Sequence, residues 1–217
     1  DAVNYLPAPP DTVSALVTTD MSKFIEGKAI RPTDEGQIAI NDVNNELDYF
    51  LQIYSNPFGR TLSATATPEV YKLCEAMYLL GDGATSSCKN YYHRSRPYKQ
   101  LNEATAYPPA ENIEKNTGSY PSGDASTGWM YALVLSELNP DAEEALLARA
   151  YTYGQGRVIT GYHWQTDVEA GRLVGAAVYA RLQEPDLAHR RGEVRDEPNH
   201  AVDEHHCYDG DPVGSLL

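Results

Sequence analysis

Apolar residues recur at helical spacing along most of the chain. Residues 34–54 (DEGQIAINDVNNELDYFLQIY) follow this spacing, and Asp34 at their start is a suitable helix cap. Residues 124–138 are apolar on most sides, which predicts a central, buried helix. Further helices are predicted at 68–97, 141–162 and 166–183. Because no two alternating segments are joined by a hairpin turn, we predict an all-α fold.

The pattern over residues 68–97 is long enough for one helix or for two. Gly81 and Gly83 mark the expected break, because glycine is a poor helix former. Pro97 is expected to end the helix, since proline cannot continue the backbone hydrogen bonding.

Proline content and polarity divide the chain into three parts. Residues 1–20 are rich in proline and are predicted to be extended, whereas residues 21–184 carry the helical pattern. Residues 185–217 are polar and acidic and lack periodicity, which predicts a surface wrap or a disordered tail. The sequence therefore predicts a single compact helical domain between two flanking segments.

Composition narrows the possible partners. The 217 residues suffice for one domain with its own core, and the formal charge of −14 disfavours nucleic acid and anionic membranes. No run of 18 apolar residues predicts a membrane span, and the start at Asp1 without Met or a signal peptide indicates a mature or trimmed chain. The cysteines (Cys74, Cys88, Cys207) form no metal-binding spacing, and a disulfide between two of them stays open.

Two cations that are seven positions apart suggest a site for an oxyanion. Lys89 and Arg96 are about two helical turns apart, so on a helix ending at Pro97 both would point the same way. The planar guanidinium of arginine can hold two oxygens of such an anion. The alternative is a solvated basic face, to which His93 and Arg94 would also belong.

A second candidate lies where the helix near Asp124 begins. Ser122 and Gly123 precede this helix, whose free backbone N–H groups attract anions. The alternative is that Ser122 only caps the helix.

The third candidate is a histidine with a carboxylate four residues later. If His163 and Asp167 are both helical, this spacing lets the carboxylate accept the imidazole N–H and leaves the other ring nitrogen basic. Such a histidine is suited to act as a nucleophile or general base, and Arg157 lies six residues before it. The alternative is a buried His–Asp pair that joins two core helices.

The three candidates occur in one order along the chain: Lys-x6-Arg-Pro, then Pro-Ser-Gly-x, then Arg-x5-His-x3-Asp. That order resembles the signature of the type 2 phosphatidic acid phosphatase superfamily, and the soluble bacterial class A acid phosphatases are its most similar branch. The resemblance extends to YLPAPP (5–10), ALVLSELNP (132–140) and GYHWQTDVEAGRLVG (161–175). It implies an all-α fold of the kind shared with vanadium haloperoxidases, a periplasmic or secreted location, and metal-independent, cofactor-free hydrolysis of small phosphate monoesters.

The resemblance also implies a role for each matching residue. His163 would attack phosphorus and form a phosphohistidine that water hydrolyses, and Asp167 would orient His163. Phosphate and vanadate would act as inhibitors, and the chain would form a homo-oligomer. The phosphoryl oxygens would be held by Lys89, Arg96, Ser122, Gly123 and Arg157.

Two positions depart from the family pattern. Gly156 stands where the family usually has serine, which removes one hydroxyl. Asp124 stands where the family has the histidine that protonates the leaving alcohol. A carboxyl can donate a proton only in its acid form, and its ordinary pKa of about 3.9 lies far below the histidine value of about 6.5. With three cations nearby, we expect Asp124 to be ionised at neutral pH and to compete with phosphate for those cations.

Asp124 leaves several interpretations open. Three interpretations compete. The first is an engineered substitution, and the second is a natural variant that acts at low pH or on good leaving groups. The third is a natural pseudo-enzyme that binds phosphate without turnover. A vanadate-dependent haloperoxidase and a phosphotransferase side activity are further alternatives. The segment DEHHCYDG (203–210) contains residue types that bind metals, but their spacing fits no closed metal site, which favours a solvated acidic tail. Aromatic residues that could stack on a leaving group are Tyr91, Tyr92 and Tyr120.

Overall fold

The computed structural model describes residues 2–11, 13–112 and 117–184, and within these ranges it is all-α as predicted, with no strand. The α-helices are α1 (Ala15–Ile30), α2 (Asp34–Asn41), α3 (Leu47–Phe58), α4 (Pro68–Tyr92), α5 (Pro97–Leu101), α6 (Gly123–Leu138), α7 (Glu143–Thr160) and α8 (Gln165–Leu182). Short 3-10 segments span Ala2–Asn4, Pro108–Asn112 and Pro140–Ala142.

Helix α1 begins inside the segment that the sequence predicts to be extended up to residue 20. Ser14 caps it, because its side chain accepts a hydrogen bond from the Leu16 N–H at 3.2 Å. The extended part before α1 is therefore shorter than predicted. The tail predicted at 185–217 lies outside the described residues.

The helix predicted at 34–54 is two helices, α2 and α3, joined by a turn. Thr33, and not Asp34, is the cap of α2. The turn begins at Asp42, whose carboxylate is buried and accepts hydrogen bonds from the Tyr49 hydroxyl at 2.7 Å and from Arg149 at 2.6 Å. The Arg149 bond holds the turn against α7, and the extended backbone of Glu46 separates α2 from α3.

Helix α4 is continuous, so the break predicted at Gly81 and Gly83 is absent. Gly81 instead allows close packing, because a side chain there would collide with Thr127 on α6. The helix ends at Tyr92, with His93 in the left-handed conformation at φ 46°. Pro97 does not end this helix but begins α5, where its missing N–H costs no hydrogen bond.

Helix α6 is the centre of the fold, as its apolar sequence predicts, and it packs against α4, α7 and α8. Its contact with α8 is close because Gly175 leaves no side chain to collide with the Ser126 carbonyl. Beside it, the Tyr54 hydroxyl donates a hydrogen bond to the Gly128 carbonyl at 2.8 Å. Cys74 and Cys88 are both buried and free, so the disulfide left open does not form between them.

The C-terminal half of α8 packs on α4 and on the first residues of the chain. Ala2 and Leu182 line one groove on this side of the molecule, together with residues of α4. None of the helices in the described ranges combines the length and the apolar character needed to cross a bilayer.

Candidate active site

A cleft between the α2–α3 turn, α6 and α7 brings together residues that are far apart in the sequence. Its cavity volume is about 60 Å³, and it is bordered by a carboxylate, two guanidinium groups and an imidazole. The residues that line it are Val43, Asn45, Arg96, Ala110, Asp124, Arg157, Tyr162 and His163.

Arg96 reaches the cleft from an extended segment and not from the face of α4. It is the N-cap residue of α5, so the prediction that Lys89 and Arg96 share one helix face is wrong, because α4 ends before Arg96. The guanidinium is buried and donates hydrogen bonds to Thr117 Oγ1 at 2.9 Å and to the Tyr162 carbonyl at 3.3 Å. These acceptors fix its position at the floor of the cleft.

Arg157 lies in the last turn of α7 and is also buried. Its guanidinium carbon lies 4.7 Å from the ring centroid of Tyr153, and the ring forms a cation–π contact with the guanidinium. Gly156, which stands where the family usually has serine, directly precedes Arg157. It faces α2, since an added Cβ would lie 3.4 Å from Ala39 Cα.

His163 lies in the short connection between α7 and α8, after the helix-ending Gly161 at φ 89°. Its Nδ1 lies 2.8 Å from the Ser119 carbonyl, and its Nε2 lies 3.1 Å from Arg96 Nη1. A carbonyl only accepts and a guanidinium only donates, so the neutral ring carries its proton on Nδ1. The lone pair of Nε2 therefore faces Arg96 at the cleft.

Asp167 does not accept the imidazole N–H in the way that the spacing predicts. His163 precedes α8, so the two residues are not on one helix, and Nδ1 lies 3.5 Å from Asp167 Oδ2 but closer to the Ser119 carbonyl. Asp167 Oδ2 instead accepts a hydrogen bond from the Trp164 N–H at 2.8 Å, which caps the start of α8. Burial raises the pKa of Asp167 to about 6, although Arg94 opposes this rise.

The structure contains a buried ion-pair network near His163 that the sequence analysis did not predict. Arg94, which the alternative interpretation assigns to a solvated basic face, donates to Asp167 Oδ1 at 2.5 Å and to Asp20 Oδ2 at 2.7 Å. Asp20 also accepts from the Thr166 N–H at 2.8 Å. The network ties α1 to the first turn of α8. Its residues have no common spacing along the chain, so no local pattern signals it.

Ser122 is the N-cap of α6, and its role in binding phosphate stays a prediction. Its hydroxyl accepts a hydrogen bond from the Ala125 N–H at 3.3 Å, and its own N–H donates to the Asp167 carbonyl at 2.9 Å. Gly123 is the first residue of the helix. Because Asp124 follows and lines the cleft, the first turn of α6, with its positive dipole end, borders the site.

Asp124 contacts one of the cations that a phosphate would need. Its Oδ2 lies 3.3 Å from Arg157 Nη1. Burial raises the pKa of this carboxyl, but the charges of the surrounding groups lower it by more, so the pKa lies below its ordinary value. Those groups are Arg157, His163, Lys89 and Arg96. Lys89, in the last turn of α4, thus acts on the same cleft.

The tyrosines predicted to stack on a leaving group do not line the cleft. The Tyr120 hydroxyl donates to the Pro7 carbonyl at 2.8 Å, and its ring packs edge-on against Tyr92. Tyr91 is 68% exposed, and the tyrosine that borders the cleft is Tyr162. Among the described residues there is no group of His, Cys, Asp and Glu that could hold a metal ion, and residues 203–210 lie outside them.

Comparison with known proteins gives a consistent picture. The PAP2 superfamily matches residues 70–183. The non-specific acid phosphatase of Salmonella typhimurium is 37% identical over 208 residues, which cover 93% of this chain and 83% of the relative. That of Providencia stuartii is 37% identical over 199 residues, covering 91% and 80%.

More distant similarity extends to a second phosphatase sequence and to a solved structure. The acid phosphatase of Zymomonas mobilis is 28% identical over 182 residues, which cover 84% of this chain and 69% of the relative. The crystal structure of a transmembrane PAP2 type phosphatidylglycerolphosphate phosphatase from Bacillus subtilis matches with a TM-score of 0.53 at 16% identity. This match covers 88% of this chain and 91% of that one. The structural match supports the fold.

Proposed function

This chain belongs to the PAP2 superfamily, and from that membership we propose that it is an acid phosphatase that hydrolyses phosphate monoesters through a phosphohistidine. One observation carries the proposal. His163 Nε2 carries its lone pair at the cleft and lies 3.1 Å from the buried guanidinium of Arg96. A nucleophile beside a fixed cation is the arrangement that attack on a phosphoryl group requires.

In the first step, the phosphoryl oxygens bind to Arg96, Arg157 and Lys89. Nε2 of His163 attacks phosphorus in line with the ester oxygen, the N–P bond forms, and the P–O bond breaks with its electron pair on the leaving oxygen. The ring becomes positively charged, and its Nδ1–H stays bonded to the Ser119 carbonyl. The nearby carboxylate of Asp167 stabilises this charge.

In the second step, water attacks phosphorus, the N–P bond breaks with its electron pair on Nε2, and phosphate leaves with the protons of the water, so the ring is neutral again. The cationic side chains neutralise the charge on the phosphoryl oxygens, so the proposal includes no metal ion. Another alcohol can replace water, which gives a phosphotransferase side activity. A periplasmic or secreted location and a homo-oligomer stay predictions from the resemblance.

Asp124 sets the limits of this activity. As an ionised carboxylate it cannot give a proton to the leaving oxygen, so esters whose leaving group is stable as an anion should react fastest. Its contact with Arg157 also favours a second candidate, a chain that binds phosphate with little or no turnover. The two candidates differ in turnover and share the binding site.

A trapping experiment with p-nitrophenyl phosphate in the presence of EDTA tests the proposal. We expect turnover, and after acid-free quenching a phosphoryl group on the peptide that contains His163. His163→Ala should abolish both. His93→Asn is the matched control, because His93 is exposed and asparagine tolerates its left-handed backbone. Activity of His163→Ala above a few per cent of the parent, or loss of parent activity with EDTA and recovery with a divalent ion, would contradict the mechanism.

A further inference from the structure

We propose that Asp124 makes the cleft selective for oxyanions that carry a proton, such as monoanionic phosphate and phosphate monoester monoanions, over fully deprotonated oxyanions such as sulfate. This inference rests on the proposed function, since it uses the same cleft, but it concerns binding and not turnover.

The geometry places the carboxylate where a bound oxyanion must contact it. Asp124 Oδ2 lies 3.3 Å from Arg157 Nη1, and both side chains line the cleft with Arg96 and His163. An anion that is held by Arg157 and is close enough to His163 Nε2 for attack has an oxygen next to this carboxylate. The carboxylate therefore becomes part of the binding site for the anion.

Two ionised oxygens in contact repel each other, and neither can donate a hydrogen bond. A proton between them removes the repulsion and replaces it with a short, charge-assisted O–H···O⁻ hydrogen bond. A P–OH group supplies that proton, whereas sulfate has none at ordinary pH. Since a site built to bond a hydroxyl rejects ligands that lack it, the carboxylate acts against sulfate.

The proton must come with the ligand and not from Asp124. The charged and titratable groups that face Asp124 come from each neighbouring element: Lys89 on α4, Arg96 before α5, Tyr153 and Arg157 on α7, and His163 before α8. Burial opposes ionisation of Asp124, but the cations outweigh it and hold its pKa below the ordinary value. The second pKa of a phosphate monoester is about 6, so its monoanion predominates under mildly acidic conditions.

Sulfate and phosphate titrations of the parent chain and of Asp124→Asn test the inference at constant ionic strength. In the parent at pH about 5, we expect phosphate to bind at least about tenfold more tightly than sulfate, as expected for a site that reads a hydroxyl. The preference over sulfate should persist at neutral pH, because inorganic phosphate that has lost two protons still carries a third, which can donate to the carboxylate. In Asp124→Asn the amide can donate to either anion, so sulfate should bind at least about tenfold more tightly than in the parent.

The outcomes separate this inference from the proposed function. Circular dichroism verifies that Asp124→Asn is folded, and Asp124→Ser provides a second variant without the charge. Equal phosphate and sulfate affinities in the parent would overturn the inference and leave the cleft as a phosphate site. If neither anion binds to the parent or to the variants, or if Arg157→Ala binds phosphate as well as the parent does, both the inference and the proposed function are overturned.

Discussion

Asp124 lies in the first turn of α6 and is surrounded by cations. The positive dipole end of the helix and these cations both favour its ionised form. The neighbouring Arg157 thus has an internal anion as its partner before any ligand binds. A histidine in the same place would be a cation or a neutral donor, and it would leave the guanidinium to the substrate. A single side chain here changes both the charge of the cleft and its supply of protons.

Asp124→His should increase turnover to an extent that depends on the leaving group. p-Nitrophenolate departs as a stable anion and needs little protonation, so we expect a small gain on p-nitrophenyl phosphate. An alkoxide is strongly basic, so the gain on an alkyl phosphate should be larger by about 10² or more. The measurement is kcat/KM for both substrates at one pH.

Asp124→Asn is the control for this comparison, because it removes the charge without adding an acid. If asparagine gives the same gains as histidine, or if histidine gives equal gains on both substrates, the carboxylate acts by repulsion. The assignment of position 124 to the proton donor would then be wrong.

The residues at the cleft could be predicted from sequence, but the way in which they are held could not. The resemblance indicated that Arg96, Arg157 and His163 lie together, although local spacing alone gives no such pairing. The acceptor for His163 Nδ1 is a backbone carbonyl, that of Ser119, and a backbone group leaves no trace in a pattern of side chains. The Trp164 N–H that donates to Asp167 Oδ2 is also a backbone group, so a pattern of side chains does not indicate it either.

At the scale of helices, the site depends on α1, which lies outside the part of the chain that matches the superfamily. The buried residues of α1 are Asp20, Phe24 and Gly27. A stripe that contains an acid and a glycine has little hydrophobic periodicity, which explains why α1 is not among the helices predicted from the sequence. Helix α6, which is apolar on most sides, was predicted within a residue of its start.

Asp20→Asn should lower kcat for p-nitrophenyl phosphate by about tenfold or more and change KM much less. Asparagine keeps an acceptor for the Thr166 N–H but removes the negative charge of residue 20. Arg94 then has an ion pair with Asp167 on α8 but none with α1 at this position. Loss of precise positioning behind a nucleophile lowers the rate more than binding. Released from Asp20, Arg94 should hold the pKa of Asp167 lower, so the acid limb of the kcat profile should move to lower pH.

Glu26→Gln is the matched control on the same helix, since Glu26 is exposed and forms an ion pair with Lys23, one turn earlier on α1. We expect it to leave kcat and its pH profile unchanged. A kcat loss in Asp20→Asn that is no larger than in this control, or an unmoved acid limb, would show that the network only supports the fold.

At the scale of the whole molecule, a chain with a formal charge of −14 forms a cationic cleft. Local placement, and not net charge, decides which ligand binds, because buried charges are screened much less than exposed ones. The pH dependence of folding also reflects buried groups. Asp167 and Asp124 differ in the direction of their pKa change, the first lying above and the second below the ordinary carboxyl value.

The melting temperature should fall by several degrees between pH about 5 and pH about 7.5. In the folded chain the pKa of Asp167 is about 6, whereas the ordinary value is 3.8, so the folded state retains a proton that the unfolded state has released. Its contribution to stability is therefore complete below the ordinary value and is lost as the pH rises through about 6. A difference of one between the folded and unfolded pKa values corresponds to about 1.4 kcal/mol in the free energy of unfolding.

Calorimetry at constant ionic strength measures this effect, and Asp167→Asn is the comparison. The variant cannot exchange the proton, so its melting temperature should depend less on pH over the same range. A parent chain that is more stable at pH about 7.5 than at pH about 5, with the same slope in the variant, would contradict the assignment.

The groove that is lined by both Ala2 and Leu182 has a consequence for circular permutation of the chain. Since both residues border the same space, a short linker that replaces residues 183–217 can join them without crossing the cleft. New ends can then be opened in the exposed segment around Arg60 and Thr61, between α3 and α4. Such a circular permutant would be translated from α4 onwards, with the superfamily-matching part first and α1 to α3 last. Asp20 would then reach Arg94 only after every residue of the cleft from α4 to α8 has been synthesised.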